Sequence, residues 1–426
     1  MFTLPKMSEL VIFLSFALLV WLSLQLLLSF LFLRYVSASD IILLPEEELP
    51  KAAIILCLRG ADPFLDKCLR SLLQQNYPDY QLKLVVDHED DPSWVTINDI
   101  IAECQPVNMD VRVLRQRRET CSLKCSSIVQ AVAELDNSYS VVAFVDADAV
   151  VHPNWLRHLI SPLADYRIGA TTGNRWYSPN RKNWGSLIRY MWNLSAVVQM
   201  YLYKIPWGGT LAMRTQLIRE TGLLDKWKYS YTDDTSISST LTAYNKQLKF
   251  VPSLLIVNSE ECQMSWLFGW MRRQLFSSRV YHPFWLGVVG DSLLTIFMPS
   301  LLLILGITAF ISQDWESAIA ALSSYGIYIF GLFLIAIALE KVIQRVIIQS
   351  RETVSQISIV TAMRIFIGVP ITQWFYSLAL ISSYWMPRVL WRGVEYEVRG
   401  PWDVRLVEYK PYQSRQRRAN CSKVSL

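Results

Sequence analysis

Val141-Val142-Ala143-Phe144-Val145-Asp146-Ala147-Asp148 is the stretch on which the reading of this chain turns. Five apolar residues make a short buried strand, and two carboxylates two positions apart follow it at once. In an α/β sheet, ligand sites lie outside the carboxyl ends of the strands, so Asp146 and Asp148 stand where such a sheet keeps its chemistry. The same design appears upstream, where Leu82 to Val86 runs into Asp87-His88-Glu89-Asp90-Asp91-Pro92. A third acidic cluster, Tyr231-Thr232-Asp233-Asp234-Thr235, comes later.

Working outward, Ala52 to Leu58 is another apolar strand, followed by Arg59-Gly60-Ala61-Asp62-Pro63. Leu65, Leu69, Leu72 and Leu73 then fall at helical spacing, and Asn76-Tyr77-Pro78 closes the helix before the next strand. This is a βαβ opening, for which a right-handed crossover is expected, and it lacks the glycine fingerprint of dinucleotide-binding folds. Phosphates must therefore be held by something other than a glycine-rich loop. Two carboxylates at a strand end suit Mg²⁺ or Mn²⁺, which take oxygen ligands and complete their shells with substrate phosphates. An isolated Asp-x-Asp is a weak signal, because surface loops produce it by chance; its place after a buried strand strengthens it. Asp87, one strand earlier, suits the base or ribose side of the same nucleotide.

Trp207-Gly208-Gly209-Thr210 is a glycine turn that lets backbone approach a ligand closely. A general base for a transfer reaction is expected at Asp234, with Asp233 in support. The plainer alternative makes Asp233 the cap of a helix running from Thr235. Gly173-Asn174-Arg175-Trp176-Tyr177 is ambiguous in the same way, with Arg175 and Trp176 either shaping an acceptor site or packed in the core.

Apolar blocks fence this region on both sides. The chain has 426 residues, of which 52% are hydrophobic and only 18% charged, which excludes an ordinary soluble enzyme. Leu10 to Leu33 has no charged residue and is about 36 Å long as a helix, enough for a hydrocarbon core of roughly 30 Å. It is too long for a signal-peptide core and reads as an uncleaved anchor, although Ser37-Ala38-Ser39 resembles a cleavage site. Val288 to Ile311 and Ile319 to Leu339 have spanning length too. Ile357 to Trp385 carries Arg364 and Pro370 and reads as one span or as a hairpin turning near Pro370. Met264 to Trp285 is dense in Trp, Phe and Arg, as an interfacial amphipathic helix would be, with a core helix as the alternative.

Lys341, Arg345 and Arg351 follow the second of these C-terminal blocks, and the tail holds Arg388, Arg392, Arg399, Arg405, Lys410, Arg415, Arg417, Arg418 and Lys423. The positive-inside bias puts both stretches in the cytoplasm with the soluble block, which favours the hairpin reading. The net charge of +5 is then a topology signal and carries no nucleic-acid motif with it. The seven cysteines are odd in number and lack paired zinc spacing, which reads as reduced and incidental. The expected organisation is an anchor over 1–36, a cytoplasmic catalytic α/β domain over 40–258, an interfacial segment over 259–286, a membrane region over 287–386, and a basic cytoplasmic tail over 387–426.

On Leu58-Arg59-Gly60-Ala61-Asp62-Pro63, Asn76-Tyr77-Pro78, Asp87-His88 with Asp90-Asp91-Pro92, Lys124 before Ser126-Ser127, Asp146, Gly208-Gly209, Asp234 and Trp391-Arg392-Gly393-Val394-Glu395-Tyr396, the chain resembles the membrane-bound family 2/21 glycosyltransferases, the group of ceramide glucosyltransferase and its bacterial relatives. The resemblance implies a GT-A fold fused to transmembrane helices, an NDP-sugar donor, usually UDP-glucose, and inversion at the anomeric carbon. It places Arg59, Asp87 and Lys124 on the donor, Asp146 and Asp148 on the metal diphosphate, and the base at Asp234. The family's Gln/Arg-x-x-Arg-Trp signature is altered here to Trp270-Met271-Arg272-Arg273-Gln274 with Arg279-Val280-Tyr281, so Gln274, Arg279 and Tyr281 are expected on the donor side, with Arg272 and Arg273 near the diphosphate or on lipid headgroups. Trp207, Gly208 and Gly209 join Arg175 and Trp176 as acceptor-side candidates. The implied partners are the NDP-sugar and a lipid acceptor in the bilayer, with no obligate protein partner. A polysaccharide synthase, or a degenerate scaffold of the same fold, are the alternatives.

Overall fold

The computed structural model describes residues 6–39, 42–178, 183–350 and 357–412. Arg351 and the tail cations Arg415, Arg417, Arg418 and Lys423 lie outside the described residues. Helix α1 spans Met7–Ala38, and the soluble block then alternates strands and helices: β1 Ala52–Leu58, α2 Leu65–Leu73, β2 Tyr80–Val86, α3 Ser93–Cys104, β3 Met109–Val113, α4 Leu123–Ala133, β4 Val141–Val145 and α5 Trp155–Ile160. Next come β5 Ile168–Tyr177, α6 Trp184–Tyr203, β6 Thr210–Arg214, the short helices α7 Thr215–Glu220, α8 Leu223–Trp227 and α9 Ile237–Ala243, and β7 Gln247–Asn258. Helices α10 Met264–Tyr281, α11 Trp285–Ile311, α12 Trp315–Gln349 and α13 Ile359–Tyr384 follow, and the described chain ends with β8 Arg388–Trp391, β9 Val394–Gly400 and β10 Asp403–Tyr409.

The main sheet has seven strands in the order β3-β2-β1-β4-β6-β5-β7. Strands β1 to β4 are parallel, and β6 pairs antiparallel with β4, so that Thr210 at the start of β6 lies opposite Val145 at the end of β4. Strand β5 is antiparallel to β6 and β7 parallel to β5, which brings Arg175 to Tyr177 and Asn258 to that same edge. The strand order reverses between β1 and β4, which opens a crevice at the edge. Apolar side chains cover both faces of the sheet, with Leu56, Leu84 and Trp155 on one side and Ile55, Phe144 and Trp227 on the other. At about 25 cal/mol per Å² of apolar area removed from water, these two layers dominate the stability of the block.

Among the described residues, four helices, α1, α11, α12 and α13, are long and apolar enough to cross a membrane. Helix α12 runs 35 residues, about 52 Å at 1.5 Å per residue and longer than a roughly 30 Å hydrocarbon core. Its last turns reach the soluble block, where Glu340, fully buried, accepts hydrogen bonds from Trp176 Nε1 (3.0 Å) and Tyr190 OH (2.9 Å).

The hairpin expected near Pro370 is not there. Helix α13 is continuous through Pro370, since a proline removes one helical hydrogen bond and the long apolar segments on either side retain theirs. The start of α13 nonetheless meets the soluble block, and its end meets α10 and α11. Arg364 lies 5.3 Å over the ring of Trp184 at the start of α6, and Tyr384 takes a hydrogen bond from Trp285 Nε1 (3.2 Å) and another from Arg279. Between these ends, Phe375 packs edge-on to Phe268 of α10 at 5.8 Å. The tail is likewise more than a basic segment. Its three antiparallel strands, in the order β10-β9-β8, bury Val389, Val394, Tyr396 and Val398 in the same core as Phe144 and Trp227.

Candidate active site

Strand ends deliver the carboxylates and helix starts deliver the cations. Ser122 caps α4 by accepting a hydrogen bond from Cys125 N (3.1 Å), which puts Lys124 in the first turn. A cation there opposes the helix dipole, so something else must hold it. Lys124 Nζ lies 2.8 Å from Asp146 Oδ1 and 3.0 Å from Asp233 Oδ2, bridging the second and third acidic clusters. Its ammonium stays charged well above its ordinary range: burial pulls the pKa down, and Asp146, Asp233 and Asp234 more than offset that. Burial likewise pushes Asp146 up, yet Lys124 and Arg175 hold it below the usual carboxylate range.

Asp148 has a different setting. Its Oδ2 accepts from Asn258 Nδ2 (2.9 Å), and among the described residues no cation comes within 4 Å. Burial and the charge of Asp146 both raise its pKa. Two carboxylates at one strand end, the second without a cation of its own, fit a divalent metal, whose charge would offset both the burial and the repulsion. Asp87, His88 and Asp91 also gather ligand atoms within 4.8 Å of one another. Both Asp91 oxygens, however, accept from Gly60 N (3.0 and 2.9 Å), and Oδ1 also accepts from Ser93 N and Oγ. Asp87 Oδ2 is held by Arg59 and by Tyr409 OH (3.0 Å), which leaves the buried Asp87 Oδ1 and His88 Nε2 as the atoms of this group unpartnered among the described residues.

Asp233 and Asp234 diverge. Asp233 is buried and faces Lys124, and burial pushes its pKa up to about 6 despite that cation. Asp234 is half-buried, its Oδ2 accepting from Gly208 N (2.8 Å) and its Oδ1 from Thr235 N (2.6 Å) and Oγ1 (2.9 Å). A side chain at Gly208 would collide with Asp233 Oδ2, and one at Gly209 with the Trp207 ring, so the glycine pair is what lets the turn close over these acids. Helix α9 starts at Ile237, and its first free N–H bonds the Asp234 carbonyl (2.8 Å), so Asp233 is not its cap. Arg175 lies 4.7 Å over the ring of Trp207.

Glycosyl transferase family 21 is the family whose sequence model matches residues 26–402. The chain belongs to glycosyl transferase family 21. A search of curated proteins finds no match. Among solved structures, the mannosyltransferase PcManGT from Pyrobaculum calidifontis in complex with GDP-Man and Mn²⁺ is similar at a TM-score of 0.49 and 13% identity, covering 87% of this chain and 99% of that one. Glucosyl-3-phosphoglycerate synthase from Mycobacterium tuberculosis in complex with Mn²⁺, UDP and phosphoglyceric acid is similar at a TM-score of 0.35 and 14% identity, covering 54% of this chain and 77% of that one. The mixed sheet, with its acids at the carboxyl edge of the parallel strands, is of the GT-A type found in glycosyltransferases.

Not every residue expected at the family 21 site gathers there. Trp176 is buried with its indole N–H on Glu340, at the junction with α12, so it is a packing residue in this structure. Arg279 bonds the carbonyl of Tyr384 at the end of α13. Tyr281 is buried, and its hydroxyl accepts from Tyr231 N (2.6 Å), bracing the loop that carries Asp233 and Asp234. Gln274 is half-buried and forms no hydrogen bond to the acidic clusters among the described residues. The unexpected arrivals come from the tail: Tyr409 bonds Asp87, Arg59 bonds the carbonyls of Arg392 (2.9 Å) and Lys410, and Arg392 pairs with Asp62 (3.2 Å). The motif around Trp391-Arg392-Gly393 was the one signal of this, and nothing in its spacing said which part of the sheet it would meet.

Proposed function

We propose that this family 21 glycosyltransferase moves a hexose, with glucose the first candidate, from an NDP-sugar to the hydroxyl of a membrane lipid such as ceramide or diacylglycerol, with inversion. The observation that carries this is the gathering of Asp146, Asp148, Lys124, Asp233 and Asp234 at one sheet edge, in a chain whose aromatic helix α10 leads into the membrane-length helix α11.

In this reading Asp87 binds the nucleoside. Asp146 and Asp148 would hold Mg²⁺ or Mn²⁺, which when bound supplies positive charge to the departing diphosphate. The acceptor oxygen forms its bond to the anomeric carbon as the carbon–phosphate oxygen bond breaks, and the nucleoside diphosphate leaves with that electron pair. Asp234 takes the hydroxyl proton. Its backbone N–H contacts leave the side chain aimed and partly open, whereas Asp233 is committed to Lys124 and acts by fixing that cation. Arg175, stacked on Trp207, lines the acceptor side. Trp192, Trp266 and Trp270 form an aromatic group on α6 and α10, suited to the interface where a lipid headgroup meets water. The cytoplasmic placement of the block follows from the basic residues after α12 and in the tail.

Membranes carrying the protein, incubated with labelled UDP-sugars and extracted into organic solvent, test this. A labelled small lipid supports the reading; a labelled polymer, or no turnover, overturns it in favour of a synthase or a scaffold.

A further inference from the structure

Arg392 sits in the tight turn between β8 and β9 with φ +48°, followed by Gly393 at φ +79°. Two-residue hairpin turns favour Asn-Gly because both central residues are left-handed, and an arginine in the first place is costly. Its guanidinium supplies a compensating reason. Nη1 donates to the Arg59 carbonyl (2.6 Å) and Nη2 to Asp62 Oδ2 (3.2 Å), so the side chain lies across the end of β1.

That end is beside the metal pair. The register places Leu56 of β1 opposite Val145 of β4, so counting on past the paired residues brings Arg59, whose carbonyl Arg392 holds, level with Asp148. From the other side, Arg273 of α10 lies 5.3 Å from the ring of Trp391, which packs the turn between α10 and the loop after β1.

Arg175 at this edge lies over the Trp207 ring, and two further cations are held in ion pairs. Arg59 is paired with Asp87 and its side chain is only 10% exposed, and Lys124 is shared between Asp146 and Asp233 at 16%. Arg392 is 35% exposed and keeps unbonded N–H donors. Its Nη1 and Nη2 each hold one partner, which leaves Nε–H and the second N–H on each Nη to donate to a phosphate.

We propose that Arg392 is a donor-binding residue, brought from the carboxy-terminal sheet to the edge of β1 and β4 to grip the donor's diphosphate. This rests on the nucleotide-sugar reading above. The carboxy-terminal sheet is then a wall of the donor site, and Asp62 holds the arginine in place until a phosphate arrives.

The test is binding of UDP and UMP, with GDP and GMP in parallel, to the full-length protein in lipid nanodiscs with Mn²⁺, for wild type, Arg392→Ala and Arg392→Lys. Loss of a charge-assisted contact of this type weakens binding about 10–100-fold. Arg392→Ala should lose UDP affinity by that factor while UMP affinity changes far less, and Arg392→Lys should restore part of the preference for UDP. Equal losses for UDP and UMP would show that Arg392 only braces the Arg59–Asp62 loop, and an unchanged UDP affinity would also overturn the assignment. Failure of the wild type to bind any nucleoside diphosphate would sink the nucleotide-sugar reading and the assignment with it. If the alanine variant does not fold, the lysine variant alone decides, because it keeps the charge and loses the fork.

Discussion

Asp233 and Asp234 are neighbours in sequence with different work, because one is buried against a lysine and the other is held by backbone N–H groups in a partly open position. Asp234→Asn should keep the fold and UDP affinity and lower kcat by about 10²–10⁴-fold, the range for a general base; near-normal turnover in a lipid glycosylation assay would reassign the base. Asp146→Asn should abolish turnover, and chelator should do the same to the wild type, with added Mg²⁺ or Mn²⁺ restoring it; full activity in chelator would remove the metal from Asp146 and Asp148. His158 sets a pH dependence of stability. It packs against His152 at 5.1 Å and bonds Ser253 Oγ (2.8 Å), and burial, helped by His152, lowers its pKa from 6.5 to about 4. The folded state therefore prefers the neutral ring, so this contribution is present above pH 6.5 and is lost as pH falls toward 4. Melting curves across that range should show the decline, and His158→Asn should flatten it.

At the scale of elements, the joint between the catalytic block and the membrane helices depends on α12 and Glu340. Two buried donors, Trp176 Nε1 and Tyr190 OH, share its Oε2, and Gln344 Nε2 holds Oε1 at 2.8 Å. Glu340→Leu should leave both donors unpaired, at about 1–3 kcal/mol each, and lower the melting temperature in detergent. Glu340→Gln retains a carbonyl acceptor and should lose less. Equal stability of the leucine variant would mean that water replaces the carboxylate. The strands and the first helices were legible at this scale because their apolar periodicity is local: Leu65, Leu69 and Leu72 mark α2, and Val141 to Val145 mark β4. Pro370 misled because a proline's cost is judged against the helix around it, and in α13 that helix is long and packed on α6 and α10.

At the scale of the molecule, the tail and the catalytic block must share one side of the membrane, because Tyr409 and Arg392 touch Asp87 and Asp62 directly. Cysteines placed at Val107, 99% exposed, and at Glu408 should respond alike to a membrane-impermeant thiol reagent, both protected in intact cells and both labelled after lysis. Labelling of one without the other would separate the tail from the block. The sequence by itself determined the class of the protein: the acids at strand ends, the flanking apolar blocks and the family resemblance are properties of short segments, readable without knowing what packs on what. The tertiary structure alone decided which cations serve those acids. Lys124 reaches Asp146 at the end of the next strand and Asp233 from more than a hundred residues away, Arg392 reaches the end of β1 from more than three hundred residues away, and Trp176 is drawn off to Glu340. The physical reason is that an ion pair forms wherever folding buries two opposite charges together, and that proximity follows from sheet order and helix packing, which no local pattern of residues encodes.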